Sequence, residues 1–317
     1  MNGTSGQLPL AVPGPGPDGG PEAGKRALVT GINGFSGVYV AAELRRAGYQ
    51  VFGIVGAGKV AGQDEFALDL CDAEAVAAVV AQVLPDVVVH LAAISFVAHA
   101  DTDRIYRVNI GGTRNLLAAL AAAPHRCSKV LLASSANVYG NADVGLIEET
   151  QPAAPANDYA VSKLAMEYMA RLWADRLPIV IVRPFNYTGR GQDERFLLPK
   201  MVDHFRRRAS VIELGQLAIA RDFSDVRTVA AVYRRLLDGG QPGATYNICS
   251  GQSVSLQEVL DLLADICGYQ IEVRVNPAFV RANDVLTLAG NNARLCAAIG
   301  PIDSIPLAAT LRWMVEA

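Results

Sequence analysis

Short, unbroken apolar runs alternate with longer alanine-rich stretches along this chain from about Lys25. Arg26-Ala27-Leu28-Val29-Thr30 reads as a buried strand, residues 31–37 as a glycine-rich turn, and residues 38–47 as a helix ended by Gly48. Val51-Phe52-Gly53-Ile54-Val55 follows as a second strand and completes a strand–helix–strand unit. The alternation continues with a helix over 73–83, a strand at Val87-Val88-Val89-His90-Leu91 and a long helix over 105–123. A strand at Lys129-Val130-Leu131-Leu132-Ala133, a helix over 158–176 and a strand at Ile179-Val180-Ile181-Val182-Arg183 extend it. Apolar strands joined by helices belong in a parallel sheet covered on both faces, so the pattern predicts a doubly wound α/β fold.

From Pro184 the pattern loosens. Loops over 186–194 and 278–284 interleave with helices such as 256–266, which predicts a smaller C-terminal lobe closing a cleft at the strand ends. At the other end, Pro13-Gly14-Pro15-Gly16-Pro17-Asp18-Gly19-Gly20-Pro21 can sustain neither a helix nor a central strand, so residues 1–24 are expected to form a flexible tail. That tail lacks the basic start and long apolar run of a secretory signal. The apolar run over 76–84 is too short for a membrane span and ends at Pro85.

Composition narrows the class. The chain has 317 residues, 51% of them hydrophobic, and a formal charge of −3, with no basic block that would ask for nucleic acid or an anionic membrane. Cys71, Cys127, Cys249, Cys267 and Cys296 are scattered, which fits reduced thiols in a cytoplasmic protein. His90, His99, His125 and His204 lack ligand spacing, so no metal site is expected.

Thr30-Gly31-Ile32-Asn33-Gly34-Phe35-Ser36-Gly37 follows a strand and opens a helix. Glycines there let the backbone turn sharply and approach a pyrophosphate, which the helix N-terminus attracts. Gly31, Asn33, Gly34, Phe35, Ser36 and Gly37 are therefore candidate cofactor contacts. The second strand ends in Ile54-Val55-Gly56-Ala57, without the carboxylate that would grip the ribose 2′-hydroxyl of NAD, and Lys59 is near. The expected cofactor is NADPH or NADH, with a lean to NADPH. Asp69 and Leu70 are placed near the adenine, with a helix cap before Ala73 as the equal alternative for Asp69. The expected division is a tail over 1–24, a dinucleotide-binding domain over 25–185, and a substrate lobe mainly over 186–317 that interleaves with it.

Tyr159 and Lys163 are four residues apart in a predicted helix and so share a face. A phenol beside an ammonium is an acid–base device, because the cation favours the phenolate. Downstream of the glycine turn and of Ser134-Ser135-Ala136-Asn137-Val138-Tyr139-Gly140, the pair resembles the signature of the extended short-chain dehydrogenases/reductases, the nucleotide-sugar-modifying epimerase/dehydratase family. The resemblance covers the chain from about Lys25 and implies a Rossmann-type fold and hydride transfer at a carbinol or ketone carbon. It implies that Tyr159 exchanges the proton, Lys163 lowers its pKa and holds the nicotinamide ribose, and Ser135 bonds the reacting oxygen. It places Leu91, Ala92 and Ala93 along the cofactor, makes Asn109 a brace of the central strands, and gives Ser95, Asn186, Arg221, Arg281 and Asp284 to the substrate.

Within that branch the chain looks most like GDP-4-keto-6-deoxy-D-mannose reductases. The likeness rests on Arg183-Pro184-Phe185-Asn186, Arg221-Asp222-Phe223, Tyr246-Asn247-Ile248-Cys249-Ser250-Gly251, and Asn276-Pro277 leading to Arg281 and Asp284-Val285. Departures are Arg190, Ala282 and Leu286 in place of prolines, and Gly300-Pro301 in place of a Gly-Trp-x-Pro stretch. Related 4,6-dehydratases need a carboxylate just after the catalytic hydroxyl, where this chain has Ala136 and Asn137. The resemblance therefore implies a reductase of a GDP-sugar or other NDP-sugar. A 4-epimerase with tightly bound NAD is the alternative, and a non-enzymatic dinucleotide sensor a more distant one. A cytoplasmic homodimer is expected.

Overall fold

A computed structural model describes residues 24–95, 101–142, 144–279 and 286–316. Its first part alternates β1 (Arg26–Thr30), α1 (Phe35–Arg46), β2 (Gln50–Gly56), β3 (Glu65–Leu68), α2 (Ala73–Val83) and β4 (Val87–His90). It continues with α3 (Thr102–Tyr106), α4 (Thr113–Ala122), β5 (Lys129–Ala133), β6 (Leu146–Ile147), α5 (Asp158–Arg171) and β7 (Ile179–Pro184). The remainder holds β8 (Asn186–Thr188), α6 (Leu197–Arg206), β9 (Val211–Leu214), β10 (Ala220–Asp225), α7 (Val226–Gly239) and β11 (Thr245–Ile248). It closes with β12 (Ser253–Ser255), α8 (Leu256–Cys267), β13 (Glu272–Val275), β14 (Thr287–Gly290), α9 (Ala293–Ile299) and α10 (Leu307–Val315).

Seven strands form one sheet in the order β11-β7-β5-β4-β1-β2-β3, every neighbouring pair parallel. The predicted doubly wound α/β fold is present. The order reverses between β1 and β4, which opens a crevice at their C-terminal ends, the usual ligand position in such sheets. Both faces are covered because both are apolar. Val29, Val89, Leu131 and Val182 pack under α1 and α7, while Leu28, Val88, Leu132 and Ile181 pack under α2, α4 and α5. A second sheet, β12-β10-β14-β6 with β8 beside β10, stands next to the first. A third core lies under α6, α8 and α10. Strand β11 and helix α7 come from beyond residue 185 yet build the large sheet and its cover.

Local chemistry sets the element ends. Asp72 caps α2 by accepting from the N–H groups of Glu74 and Ala75, and Ser255 and Glu258 form a reciprocal capping box on α8. The expected helix over 105–123 forms as one helical run from Thr102 to Ala122, which includes α3 and α4. Between α3 and α4 the chain makes a wider π turn over Arg107–Gly112. There Gly112 rests on Leu70, whose Cβ lies 2.9 Å from where a side chain would begin, and Asn109 turns inward to 1% exposure. The helix expected over 158–176 ends at Arg171 and gives way to tight turns, and the glycine turn enters its helix at Phe35 rather than Val38. Part of the expected 186–194 loop is strand β8.

Candidate active site

The end of β5 and the helix α5 meet residue by residue. Lys163 Nζ donates to the carbonyl of Ala133 at 2.7 Å. The Ser134 hydroxyl donates to Glu167 at 2.6 Å, and the Ser135 hydroxyl lies near enough to the Tyr159 hydroxyl to lower its pKa. Three consecutive residues of one strand end thus face three residues of one helix face, two of the pairs through hydrogen bonds. Ser135 also accepts from the N–H of Asn137 at 3.1 Å, which caps the short 3-10 turn over Ala136–Tyr139.

Tyr159 is half-buried, and Lys163 Nζ lies 5.9 Å from its ring centroid. The expectation that Lys163 governs the phenol needs correction. Burial raises the Tyr159 pKa, neighbouring Tyr187 adds to this, and the nearby Ser135 hydroxyl opposes it. Here the ammonium is turned to the Ala133 carbonyl. Burial lowers Lys163 to about 8, with the negative charge of Glu167 opposing that shift.

Behind the pair lies a buried network that sequence reasoning passed over. Arg183 grips Glu167 with two hydrogen bonds, Nε to Oε1 at 2.9 Å and Nη2 to Oε2 at 2.6 Å. Arg183 Nη1 also donates to the Tyr139 hydroxyl at 3.0 Å, which donates in turn to Asn247 at 2.7 Å. Arg183, which opens the stretch that carries part of the family likeness, therefore points into the core, where it is 5% exposed. The signal for Glu167 was present: it follows Lys163 by the same four residues that separate Lys163 from Tyr159.

Asn109 braces as expected. Its side chain accepts from the N–H of Ile94 at 2.9 Å and donates to Ser162 at 3.0 Å, and Ser162 bonds the carbonyl of Tyr159 at 2.7 Å. His90 is buried between the hydroxyls of Thr30 and Thr113 at 2.7 and 2.8 Å. Burial, with Lys163 adding to it, lowers its pKa to about 3.

The glycine turn has the form a pyrophosphate requires. A Cβ on Gly37 would meet the Gly31 carbonyl oxygen at 2.1 Å, so only glycine lets helix and turn pack this closely. Gly31 has φ +71° and abuts Ala92, whose Cα is 3.1 Å from the place of a side chain. Gly34 caps α1 without a side-chain bond, which leaves the donors of its first turn for a ligand. Asn33 is exposed in the turn, Phe35 stacks on Tyr187 at 5.8 Å, and the Ser36 hydroxyl bonds the Tyr187 hydroxyl at 2.7 Å. Leu91 and Ala92 donate their N–H groups to Thr30 and line this rim with Ala93. Asp69 is exposed and bonds the N–H of Cys71 at 2.9 Å, while Asp72 takes the cap role considered for it. Leu70 turns its side chain into the core.

The substrate candidates divide. Asn186 and Arg221 come together because β8 pairs with β10, Asn186 opposite Phe223. Asn186 Nδ2 reaches the Asp222 carbonyl at 3.4 Å, and Arg221 Nη1 donates to the Ala220 carbonyl at 2.9 Å. Ser95 is exposed beyond β4, whereas Arg281 and Asp284 lie outside the described residues. A cavity of about 460 Å³ is lined by Leu146, Gly251, Ser253, Thr287 and Ala289 among others.

Comparison with known proteins gives the same direction. The model of the NAD dependent epimerase/dehydratase family matches residues 27–249. GDP-6-deoxy-D-talose 4-dehydrogenase of Aggregatibacter actinomycetemcomitans is 34% identical over 87% of this chain and 91% of its own length. GDP-6-deoxy-D-mannose reductase of Pseudomonas aeruginosa is 37% identical over 74% of this chain and 80% of its own. Among solved structures, a candidate epimerase from Burkholderia cenocepacia J2315 is 52% identical with a TM-score of 0.89, covering 93% of this chain and 98% of that one. RMD from Pseudomonas aeruginosa complexed with NADPH is 33% identical with a TM-score of 0.80, covering 92% and 98%.

Proposed function

The chain belongs to the NAD dependent epimerase/dehydratase family, and we propose that it reduces the C4 ketone of GDP-4-keto-6-deoxy-D-mannose to GDP-D-rhamnose. It is an NAD(P)-dependent oxidoreductase that acts on a nucleotide sugar. The observation that carries the finer reading is the meeting of Ser135, Tyr159 and Lys163 at one strand end, with Ala136 and Asn137 where a dehydratase needs a carboxylate. The two curated relatives support it. Their names describe alcohols that differ in configuration at C4 and derive from the same ketone.

The glycine turn and the open first turn of α1 would hold the pyrophosphate, and Leu91, Ala92 and Ala93 the rim beside it. Bound NAD(P)H supplies the hydride. Ser135 holds the ketone oxygen by its hydroxyl. Tyr159, kept protonated by burial, gives its proton to that oxygen as negative charge develops there. Lys163 holds the nicotinamide ribose, and solvent restores the proton to the phenolate that remains. Asn186 and Arg221 hold sugar and diphosphate, with Ser95, Arg281 and Asp284 assigned to the same task. Gly56 and Gly58 stand in open space beside exposed Lys59, which favours NADPH at least as well as NADH. Val161, Tyr168 and Leu172 are exposed along α5 and support a homodimer, and five unpaired cysteines fit a cytoplasmic setting.

The test is deuterium transfer from C4-labelled NADPH or NADH to the keto sugar nucleotide, followed by mass spectrometry and NMR. Deuterium at sugar C4, with one cofactor oxidised per product, is the expected result, and the configuration at C4 separates the rhamno from the talo product. The 52% identity to a candidate epimerase favours one second reading. An unlabelled C4 epimer formed without net cofactor oxidation would establish it.

A further inference from the structure

The buried pair Glu167–Arg183 lies outside the proton transfer proposed above, yet it joins the strand end that carries Ser135 to the helix that carries Tyr159 and Lys163. Glu167 is completely buried and sits one helical turn beyond Lys163. Its carboxylate accepts from Ser134, the neighbour of Ser135, and from Arg183 at the end of β7, three residues before Asn186. Ser134 is also tied to β7 through its N–H, which donates to the Val182 carbonyl at 2.8 Å. One carboxylate thereby locks the ends of β5 and β7 to the helix that presents Tyr159 and Lys163.

We propose that Glu167, held by Arg183, is a positioning residue that sets Ser135 against Tyr159 and supplies the negative charge facing Lys163. A buried Arg–Glu pair adds little net stability compared with an apolar pair of the same shape, so its use here is best sought in placement and charge. The groups that face Lys163 can be named. On its own helix they are Tyr159 and Glu167. From β5 there is the carbonyl of Ala133, from β4 the imidazole of His90, kept neutral by burial, and from β7 Arg183 beyond Glu167. Of these only Glu167 is an anion, and it opposes the desolvation that would discharge the lysine.

This inference rests on the reduction proposed above, and its test separates the two. The variants are Glu167→Gln, the charge-neutral pair Glu167→Gln/Arg183→Met, and Ser134→Ala. If Lys163 titrates near 8 in the wild type, loss of the facing charge should move the basic limb of kcat down by about one pH unit. That gives a roughly fivefold loss at pH 8 and none at pH 6. Both Glu167 variants should show it, with KM for the keto sugar within about twofold, and the pH dependence of NADPH affinity should shift in parallel. Ser134→Ala leaves the charges alone and should lower kcat about three- to tenfold at every pH. A folded double variant with the wild-type pH profile would overturn the electrostatic role, and an unchanged kcat in Ser134→Ala the positioning role. Should the wild type consume no NADPH, the reductase reading fails instead, and the pH dependence of cofactor affinity in the same variants still decides the place of Glu167.

Discussion

Replacing Tyr159 with phenylalanine removes one hydroxyl and keeps the ring against which Lys163 lies, its Nζ 5.9 Å from the centroid. In the folded protein the hydroxyl lies near Ser135, whose oxygen accepts from the N–H of Asn137 at 3.1 Å. Losing one polar contact of this kind costs at most about 1 kcal/mol, or about 2 °C in a chain of this size. The chemical cost is larger. Without the phenol, the oxygen of the ketone gains charge in the transition state with only the weakly acidic Ser135 hydroxyl against it, and general-acid groups contribute roughly 10²–10⁴ in rate. This corresponds to about 3–5 kcal/mol at the barrier, several times the folding term. The assay is NADPH consumption with the keto sugar nucleotide, beside NADPH affinity by fluorescence and a thermal melt. The expected triad is a fall in kcat of at least about a hundredfold, affinity within about threefold, and a melting temperature within about 2 °C. Turnover above about a tenth of wild type would remove Tyr159 from the chemistry. A large loss of melting temperature would instead make the tyrosine a structural residue.

Three further outcomes are expected. Gly37→Ala places a Cβ 2.1 Å from the Gly31 carbonyl oxygen, a backbone atom that cannot yield, so NADPH affinity should fall at least about tenfold, and an unchanged affinity would refute the phosphate role of the turn. His90 titrates at about 3 when folded against an ordinary value near 6.5, so between these limits the unfolded chain binds the extra proton and stability falls as pH falls through that window. His90→Gln should flatten the slope by up to about 1.4 kcal/mol per pH unit, and parallel wild-type and variant curves in urea titrations across pH would contradict this. GDP-mannose with NADP⁺ should give no 4-keto-6-deoxy product, since Ala136 and Asn137 offer no carboxylate, and its appearance on chromatography would show that water elimination needs none there.

Much of this protein was legible in its sequence because the signals were local. The strands at Arg26–Thr30 and Lys129–Ala133, the helix at Ala73–Val83 and the glycine turn are each written within about a dozen residues by hydrophobic period, caps and glycines. The Tyr159–Lys163 pair needed only helical spacing, and the same spacing extends to Glu167. Other features depend on segments far apart in the chain. Glu167 meets Arg183 because α5 packs against β7, and Ser36 meets Tyr187 because β8 lies beside the dinucleotide turn, 151 residues away. Arg183 reads only as the last residue of an apolar strand, and the sheet is what buries it against Glu167. The π turn at Arg107–Gly112 brings Gly112 against Leu70, a contact no local period encodes. Local periodicity determines which elements form. Sheet order and the packing of side chains between distant strands determine which charges are buried together, and here that decided what surrounds the reacting tyrosine and lysine.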